Sequence, residues 1–291
     1  MGPGPKQLAV VSGKGGTGKT SVVASLAVLA GRCVLADCDV DAPNLHLVAD
    51  PLTTESREFW GGKVAVRDTE RCQGVGECER RCRFGAVHRG EVDARACEGC
   101  GLCVLACPNS ALTLRPVLSG HCYMSQTEYG PLAHARLSPG GENSGRLVTE
   151  VRALALRAAV DASASLVIID GPPGIGCSVV ASMAETDLVL IVTEPTPSGI
   201  HDLDRVAELA GHFELPVYVA INRSDLSVEC AFRVREHCED RGIPLVGEIP
   251  FDESVAQAVC EGVPVVTWAP RSPAALAIAK LWARLREALR S

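Results

Sequence analysis

Residues 13–20 carry side chains whose types and spacing suit phosphate chemistry. They read Gly-Lys-Gly-Gly-Thr-Gly-Lys-Thr, which contains the pattern G-x-x-x-x-G-K-[ST]. Glycines in such a loop let backbone N–H groups approach phosphate oxygens, Lys19 pairs with the terminal phosphates, and the Thr20 hydroxyl ligates Mg²⁺. The pattern therefore predicts a nucleotide site. Its other candidate residues are Gly13, Gly15, Gly16, Thr17, Gly18 and Ser21.

The elements around this loop predict the fold class. An apolar run, residues 8–11, precedes the loop, and residues 21–30, rich in Ala, Leu and Val, follow it as a predicted helix. Further near-continuous apolar runs at residues 166–170, 188–193 and 217–221 are typical of buried parallel strands. We therefore predict an α/β fold with a doubly wound, mostly parallel sheet.

Carboxylates follow two of these predicted strands. Asp37, Asp39 and Asp41 alternate at the end of a run that begins at Cys33, and Asp170 ends a later strand. Because open α/β sheets bind ligands at the carboxyl ends of their strands, these side chains are expected near the phosphates. For Asp41, an acidic turn without chemistry is the alternative.

Cysteines form the second candidate site. Seven of the fourteen fall between Cys72 and Cys107, and clustered cysteines without disulfide chemistry indicate metal. Residues 97–108 read C-x₂-C-x₂-C-x₃-C-P, the bacterial ferredoxin pattern. Zinc is the alternative, but its usual pattern is two separated C-x₂-C pairs. The predicted iron–sulfur ligands of this run are Cys97, Cys100, Cys103 and Cys107.

The cysteine positions of this run recur 25 residues earlier with one cysteine replaced, because Val75 occupies the position equivalent to Cys100. In two-cluster repeats the fourth cysteine of each run ligates the other cluster. One predicted 4Fe–4S site then has Cys82, Cys97, Cys100 and Cys103, and the other has Cys72, Cys78 and Cys107. Valine cannot ligate iron. We expect a 3Fe–4S cluster there. The alternatives, in decreasing order of preference, are a 4Fe–4S cluster with an open iron or with Cys122 as outside ligand, and an empty site.

The phosphate-binding loop contains a second lysine, Lys14, that the general pattern does not require, and this lysine is part of a family resemblance. Residues 14–20 resemble the deviant Walker A loop of the MinD/ParA/Mrp ATPases. Segments 39–45, 130–136, 141–145 and 195–201 resemble the MinD-superfamily branch with an inserted ferredoxin domain. This resemblance implies a P-loop ATPase domain of residues 1–62 and 117–291. It implies an inserted ferredoxin-like domain, with two-cluster ligation, of residues 63–116.

The resemblance also implies roles for individual residues. Lys14 would cross a dimer interface to the partner's ATP, Asp39 would polarise the attacking water, and Lys19 would complete the catalytic set. Asp37 would lie near Mg²⁺, and Asp170 would hold it through water. Cys177 matches a cluster ligand of the nitrogenase iron protein, but we expect it to be a small buried thiol, with cluster ligation as the alternative. The residues assigned to adenine are Asn222, Arg223 and Pro250.

The predicted function is a Mg²⁺-dependent, dimeric ATPase, either a homodimer or a heterodimer with a paralogue. Its nucleotide state would be coupled to the iron–sulfur module for electron transfer or metal-cluster assembly on a protein partner. Two alternatives remain open. One is a MinD-like positioning or scaffold ATPase with structural or redox-sensing clusters, and the other is an Mrp-like iron–sulfur cluster carrier.

Composition restricts the partners. The net charge is −7 and no basic tract is present, which argues against nucleic acid. No apolar run is long enough to span a bilayer, so a membrane role is disfavoured and a cytoplasmic location is expected. The amphipathic segment 273–290 is interpreted as a domain-closing helix rather than a membrane helix. His134 and Arg136 would either sense cluster state or make a structural contact.

Overall fold

The computed structural model describes residues 4–138 and 144–290, so part of the 141–145 segment lies outside the described residues. The strands in the described chain are β1 (Lys6–Ser12), β2 (Val34–Asp37), β3 (Leu52–Phe59), β4 (Gly62–Arg67), β5 (Val87–His88), β6 (Glu91–Val92), β7 (Leu112–Val117), β8 (Gly120–Thr127), β9 (Gly130–Leu137), β10 (Leu166–Pro173), β11 (Leu188–Thr193), β12 (Val217–Asn222) and β13 (Leu245–Ile249). The helices are α1 (Lys19–Ala30), α2 (Glu77–Arg80), α3 (Leu102–Ala106), α4 (Ser144–Asp161), α5 (Cys177–Met183), α6 (Pro197–Gly211), α7 (Val228–Asp240), α8 (Glu253–Cys260), α9 (Val265–Trp268) and α10 (Pro273–Ala288).

The main sheet has nine strands in the order β13-β12-β11-β1-β10-β2-β9-β8-β3. Neighbours from β13 through β9 pair in parallel. Alternate residues of the central strand β1 join one hydrophobic cluster with α1 and α10, and the intervening residues are also fully buried. Both faces of β1 are therefore covered, as the strictly apolar run predicts. The predicted doubly wound, mostly parallel α/β class is confirmed.

The chain divides into two compact units. Among the described residues, the first comprises 4–56, 122–136 and 144–290, and the second comprises 57–121 and 137–138. The second unit contains the cysteine run, an antiparallel β4–β7 pair and a short β5–β6 hairpin. Its helices α2 and α3 each follow a left-handed glycine, at equivalent positions of the 25-residue repeat, Gly76 and Gly101.

The C-terminal helix α10 closes the first unit. Its buried residues include Ile278, Leu281 and Leu285, which join the core cluster beside α1 and β13. Ser272 caps the helix by accepting a hydrogen bond from the Ala275 N–H. The packing agrees with the closing-helix interpretation. No helix in the described ranges is long and apolar enough to cross a membrane.

One turn of the first unit depends on a glycine. Gly130 has φ +132°, and a Cβ added there would lie 2.1 Å from the Cys33 carbonyl oxygen. The Gly130→Ala variant therefore combines backbone strain with a clash against main chain. We expect it to lose about 2–4 kcal/mol of unfolding free energy in urea titrations.

Gly211→Ala is the matched control, because Gly211 ends α6 and a Cβ there meets nothing within 4 Å. It should change stability by no more than about 1 kcal/mol, in the stabilising direction. Equal stability of the two variants would contradict the close approach of Gly130 to Cys33.

Candidate functional site

The phosphate-binding loop joins β1 to α1 at the carboxyl edge of the sheet. Gly16 and Gly18 both have φ +81°, a conformation that side chains rarely adopt. The helix begins at Lys19, and no side chain caps its N-terminus. Its first N–H groups are thus left to an anion, and the helix dipole adds positive potential.

A cavity of about 580 Å³ lies beside this loop. Its walls combine residues of the loop with Asp39, Asp41 and the segment after β10, Pro172 and Pro173. The predicted residues among its lining are Gly15, Gly16, Thr17, Gly18, Lys19, Thr20, Ser21 and Asp39. The cavity therefore brings the loop and two of the predicted carboxylates, Asp39 and Asp41, to the same space.

Two buried carboxylates lie side by side in the strands next to the loop. Asp170 on β10 is in register with Val10 on one side and Asp37 on the other. Asp37 accepts hydrogen bonds from the backbone N–H of Leu45 at 3.1 Å and of Asp39 at 3.2 Å. The sheet register thus fixes the predicted metal-site pair, and Asp37 also anchors the segment that carries Asp39.

Lys19 is the cation that compensates these carboxylates. Its Nζ lies 2.5 Å from Asp170 Oδ1, and both side chains are buried. Burial by itself lowers the pKa of Lys19, but the charge and hydrogen bond of Asp170 raise it above its ordinary value. Burial, reinforced by the neighbouring charge of Asp170, raises the pKa of Asp37 to about 8. Burial also raises the pKa of the half-buried Asp39.

Two polar atoms are left over at this edge. Among the described side chains, Asp170 Oδ2 and Thr17 Oγ1 are buried without a hydrogen-bond partner. Unpaired buried polar atoms are costly and rare. A carboxylate oxygen and a threonine hydroxyl are oxygen ligands of the kind that Mg²⁺ and its bound waters prefer. Asp170 Oδ2 and Thr17 Oγ1 are therefore suited to hold a hydrated Mg²⁺, and Thr20, the threonine predicted as a ligand, lines the adjacent cavity.

The predicted adenine residues lie outside the cavity lining. Asn222 ends β12, and its Nδ2 donates to the Thr17 carbonyl at 2.7 Å. A Cβ at Gly18 would lie 2.3 Å from that Nδ2, so the loop needs glycine there. Arg223 and Pro250 are likewise not among the residues that line the cavity. In this structure Asn222 braces the loop with the amide that was expected to pair with a base.

Lys14 and Gly13 also lie away from the cavity lining. Lys14 Nζ is 3.2 Å from Glu194 Oε2, and the same carboxylate binds Arg223. Glu194 was not predicted from the sequence. Its position directly after β11, at the ligand edge of the sheet, is the signal that could have identified it.

His134 lies on β9, in register with Asp37. Its Nε2 is 2.9 Å from Ser125 Oγ, and its ring stacks on Tyr123 at 5.1 Å. Burial, with a smaller contribution from His46, lowers the pKa of His134 to about 4. The imidazole is therefore neutral at physiological pH and makes structural contacts. Arg136 is exposed.

The second unit contains two cavities lined by cysteines. One is lined by Cys82, Cys97, Cys100 and Cys103, together with Phe84 and Leu102. The other, of about 310 Å³, is lined by Cys72, Cys78 and Cys107, with Val75 in its wall. The second cavity is much roomier than the first, which measures about 20 Å³.

Backbone N–H groups point at sulfur atoms in this unit. The N–H of Ala86 lies 3.3 Å from Cys82 Sγ, and that of Ala111 lies 3.3 Å from Cys107 Sγ. These two contacts are equivalent under the 25-residue repeat. The Ala65 N–H makes a third such contact, at 3.5 Å from Cys97 Sγ.

No three His, Cys, Asp or Glu side chains within residues 4–138 and 144–290 converge on a single metal-ion position. Cys122 is buried on β8 and does not line either cysteine cavity. Cys177 begins α5 and is exposed, so the expectation of a small buried thiol is wrong for it.

The Lys19–Asp170 contact yields a stability prediction. Lys19→Ala leaves a buried carboxylate without its cation, and we expect the nucleotide-free protein to lose about 3 kcal/mol of unfolding free energy. Adding Asp170→Asn should recover most of that loss, because the uncompensated charge is removed. Urea titration of the two single variants and the double variant measures the coupling. Additive losses would contradict the ion pair.

Comparison with known proteins places these features in a family. The model of the CobQ/CobB/MinD/ParA nucleotide-binding domain (CbiA) matches residues 8–265. An uncharacterized protein of Methanocaldococcus jannaschii is 30% identical over 261 residues, which cover 88% of each chain. A protein of Mesostigma viride described as septum site-determining protein MinD is 29% identical over 269 residues, covering 90% of this chain and 76% of that protein.

Solved structures agree at the level of the fold. Septum site-determining protein MinD of Pyrococcus horikoshii, complexed with Mg-ADP, superposes with a TM-score of 0.60 at 21% identity, covering 97% of this chain and 96% of that one. MinD in the MinC:MinD complex of Aquifex aeolicus gives a TM-score of 0.58 at 19% identity, with 97% and 96% coverage. Because the family model spans most of the chain and a relative at 30% identity matches along nearly all of it, the chain belongs to the CobQ/CobB/MinD/ParA family of P-loop ATPases.

Proposed function

We propose that this protein binds and hydrolyses ATP, pairs with a second copy or a paralogue when ATP is bound, and couples that cycle to iron–sulfur clusters in its second unit. Its cargo would be electrons or a metal cluster, delivered to a protein partner. The observation that carries the proposal is the presence, in a MinD-type ATPase, of two separate cavities lined by cysteines.

The ATPase part of the proposal rests on the cavity beside the phosphate-binding loop. Lys19 is paired with Asp170, so the phosphates of a nucleotide would compete with that carboxylate for its ammonium group. Asp170 and Thr20 would then hold Mg²⁺, which supplies positive charge to the phosphate oxygens when bound. Asp39 lines the same cavity and would orient the water that attacks the terminal phosphate, giving ADP and inorganic phosphate.

The similarity to MinD supports Mg²⁺ dependence and binding of a protein partner. The P. horikoshii protein was crystallised with Mg-ADP, and the A. aeolicus protein with MinC. An uncapped helix N-terminus and an unpaired Asp170 oxygen in this chain suit the same kind of ligand. The adenine roles of Asn222, Arg223 and Pro250 remain part of the proposal, and they require Asn222 to exchange its contact with Thr17.

The iron–sulfur part rests on how the cysteines are grouped. The four-cysteine and three-cysteine cavities contain the same two sets that cross-ligation of the sequence repeat predicts. A cubane cluster presents its irons at separate corners, so its ligands need not converge on one ion position. Backbone N–H groups directed at Cys82, Cys97 and Cys107 add the hydrogen bonds to sulfur that tune cluster potentials. When bound, the clusters would supply reversible one-electron storage.

The cavity walled by Val75 supports a different cluster from its neighbour. It offers three thiols, and Val75 is about half exposed at the position where a fourth would stand. A 3Fe–4S cluster needs three ligands, so it fits this set without help from outside the unit. A 4Fe–4S cluster with one open iron is the alternative at this site.

The Val75→Cys variant tests the cluster assignment. Anaerobic, oxidised wild-type protein should show the EPR signal of an oxidised 3Fe–4S cluster, and the variant should lose it because a fourth thiolate completes the site. Val75→Ala is the matched control and should retain the signal. Persistence of the signal in Val75→Cys would contradict the proposed ligand sets.

A scaffold function is the second candidate. The similarity to septum site-determining MinD proteins favours an ATPase that positions other molecules, with clusters that are structural or that sense redox state. In that case ATP would control recruitment of a partner without altering cluster potential.

One experiment separates the two candidates. The ATPase rate of a single anaerobic preparation is measured with clusters oxidised and again after reduction by dithionite. A reversible change of about threefold or more supports coupling. A variant in which Cys72, Cys78, Cys100 and Cys103 are all changed to Ser lacks ligands for both clusters and should show no redox response, which controls for direct effects of dithionite. An unchanged wild-type rate would contradict coupling and favour the scaffold function.

A further inference from the structure

Glu194 holds two cations of the nucleotide site at once. Its Oε2 lies 3.2 Å from Lys14 Nζ, and its Oε1 lies 2.5 Å from Arg223 Nη1. The Glu194 side chain is 12% exposed and that of Lys14 is 34% exposed. In such a partly desolvated setting, opposite charges attract more strongly than in an exposed surface pair.

Both cations belong to segments that shape the phosphate-binding loop. Lys14 directly precedes Gly15 and Gly16, which line the phosphate cavity, yet Lys14 itself does not line it. Its Nζ is directed instead to Glu194 and, at 3.5 Å, to the Thr196 hydroxyl. Arg223 Nη1 also donates to the Gly16 carbonyl at 3.3 Å. Lys14 is therefore directed toward Glu194 and not into the phosphate cavity of its own chain.

The position of Glu194 is fixed by the fold. It follows the buried strand β11, and Thr196 caps the next helix, α6, by accepting from the Gly199 N–H at 3.0 Å. A Cβ at Gly199 would lie 2.3 Å from the Glu194 carbonyl oxygen, so the turn is tightly packed. The carboxylate is thus presented from a rigid strand end and not from a mobile loop.

We propose that Glu194 is a positioning residue that holds Lys14 in reserve until nucleotide phosphate competes for its ammonium group. ATP carries one more phosphate than ADP and competes better, so release of Lys14 distinguishes the two nucleotides. The phosphates that receive Lys14 belong either to the same chain or to a second copy. This inference rests on the proposed ATP-dependent function. In it, Glu194 determines how strongly the phosphates of a nucleotide must attract Lys14 before the lysine is released.

Glu194→Gln, made in an Asp39→Ala background to slow hydrolysis, tests the proposal. The substitution removes the charge that retains Lys14 but keeps the shape of the side chain. Two quantities are measured: affinity for a fluorescent ATP analogue at low protein concentration, and the dimer dissociation constant in ATP by sedimentation. We expect one of them to improve by about three- to tenfold, with a much smaller change for ADP.

The two measurements also identify the receiving phosphates. Tighter binding of the ATP analogue by the monomer assigns Lys14 to its own chain. Dimerisation at lower protein concentration assigns Lys14 to the second copy. In either case Lys14→Ala should abolish the effect of Glu194→Gln, and Glu194→Asp should behave more like the parent protein.

Glu208→Gln is the matched control. Glu208 lies on α6 and makes an exposed ion pair with Arg241 3.7 Å away. Its substitution also removes one carboxylate charge, but it should leave the affinities for ATP and ADP unchanged. If Glu194 only braces the loop, Glu194→Gln will weaken ATP and ADP binding equally, also in the absence of Lys14. That result would overturn the inference. Failure of the parent protein to bind ATP would instead contradict the proposed function, and the inference with it.

Discussion

The buried contact between Lys19 and Asp170 connects the parts of the nucleotide site. Lys19 begins the helix after the phosphate-binding loop, and Asp170 lies on the strand paired with β1. Two carboxylates, Asp170 and Asp37, occupy neighbouring in-register positions and are both almost fully buried. The ammonium group of Lys19 partly offsets their negative charge. Burial strongly raises the pKa of Asp37. Two buried carboxylates beside one ammonium group leave excess negative charge at this edge, which favours a further cation there.

Contacts from two strand ends hold the phosphate-binding loop in place. Asn222 holds the Thr17 carbonyl, Arg223 holds the Gly16 carbonyl, and Glu194 holds both Arg223 and Lys14. Each contact comes from the carboxyl end of β11 or β12, the edge at which parallel sheets present ligand-binding groups. A loop held in this way loses less conformational entropy when a ligand binds. The phosphates of that ligand must also compete with Glu194 for the cations that it binds.

The second unit shows how a repeat can retain its frame while its two sites diverge. The equivalent glycines Gly76 and Gly101, and the equivalent N–H to sulfur contacts of Ala86 and Ala111, follow the 25-residue period. At the position of Cys100, however, the first half has Val75, and the cavity beside it is larger. Substitution of one thiol by an apolar side chain changes the number of ligands without changing the backbone that presents the others.

The sequence by itself determined the phosphate-binding loop, the parallel class of the sheet and the strand ends that carry carboxylates, because loop spacing and continuous apolar runs depend on local chemistry and on burial. It also determined the cysteine repeat, since a 25-residue period can be read from the chain alone. Only the tertiary structure decided that Lys19 pairs with Asp170, that Asn222 braces Thr17, and that Glu194 retains Lys14. These partners are 151, 205 and about 180 residues apart in the chain, and their pairing depends on strand order and register. Hydrogen bonds and ion pairs across such separations are set by the geometry of the assembled sheet, which no local pattern of residues encodes.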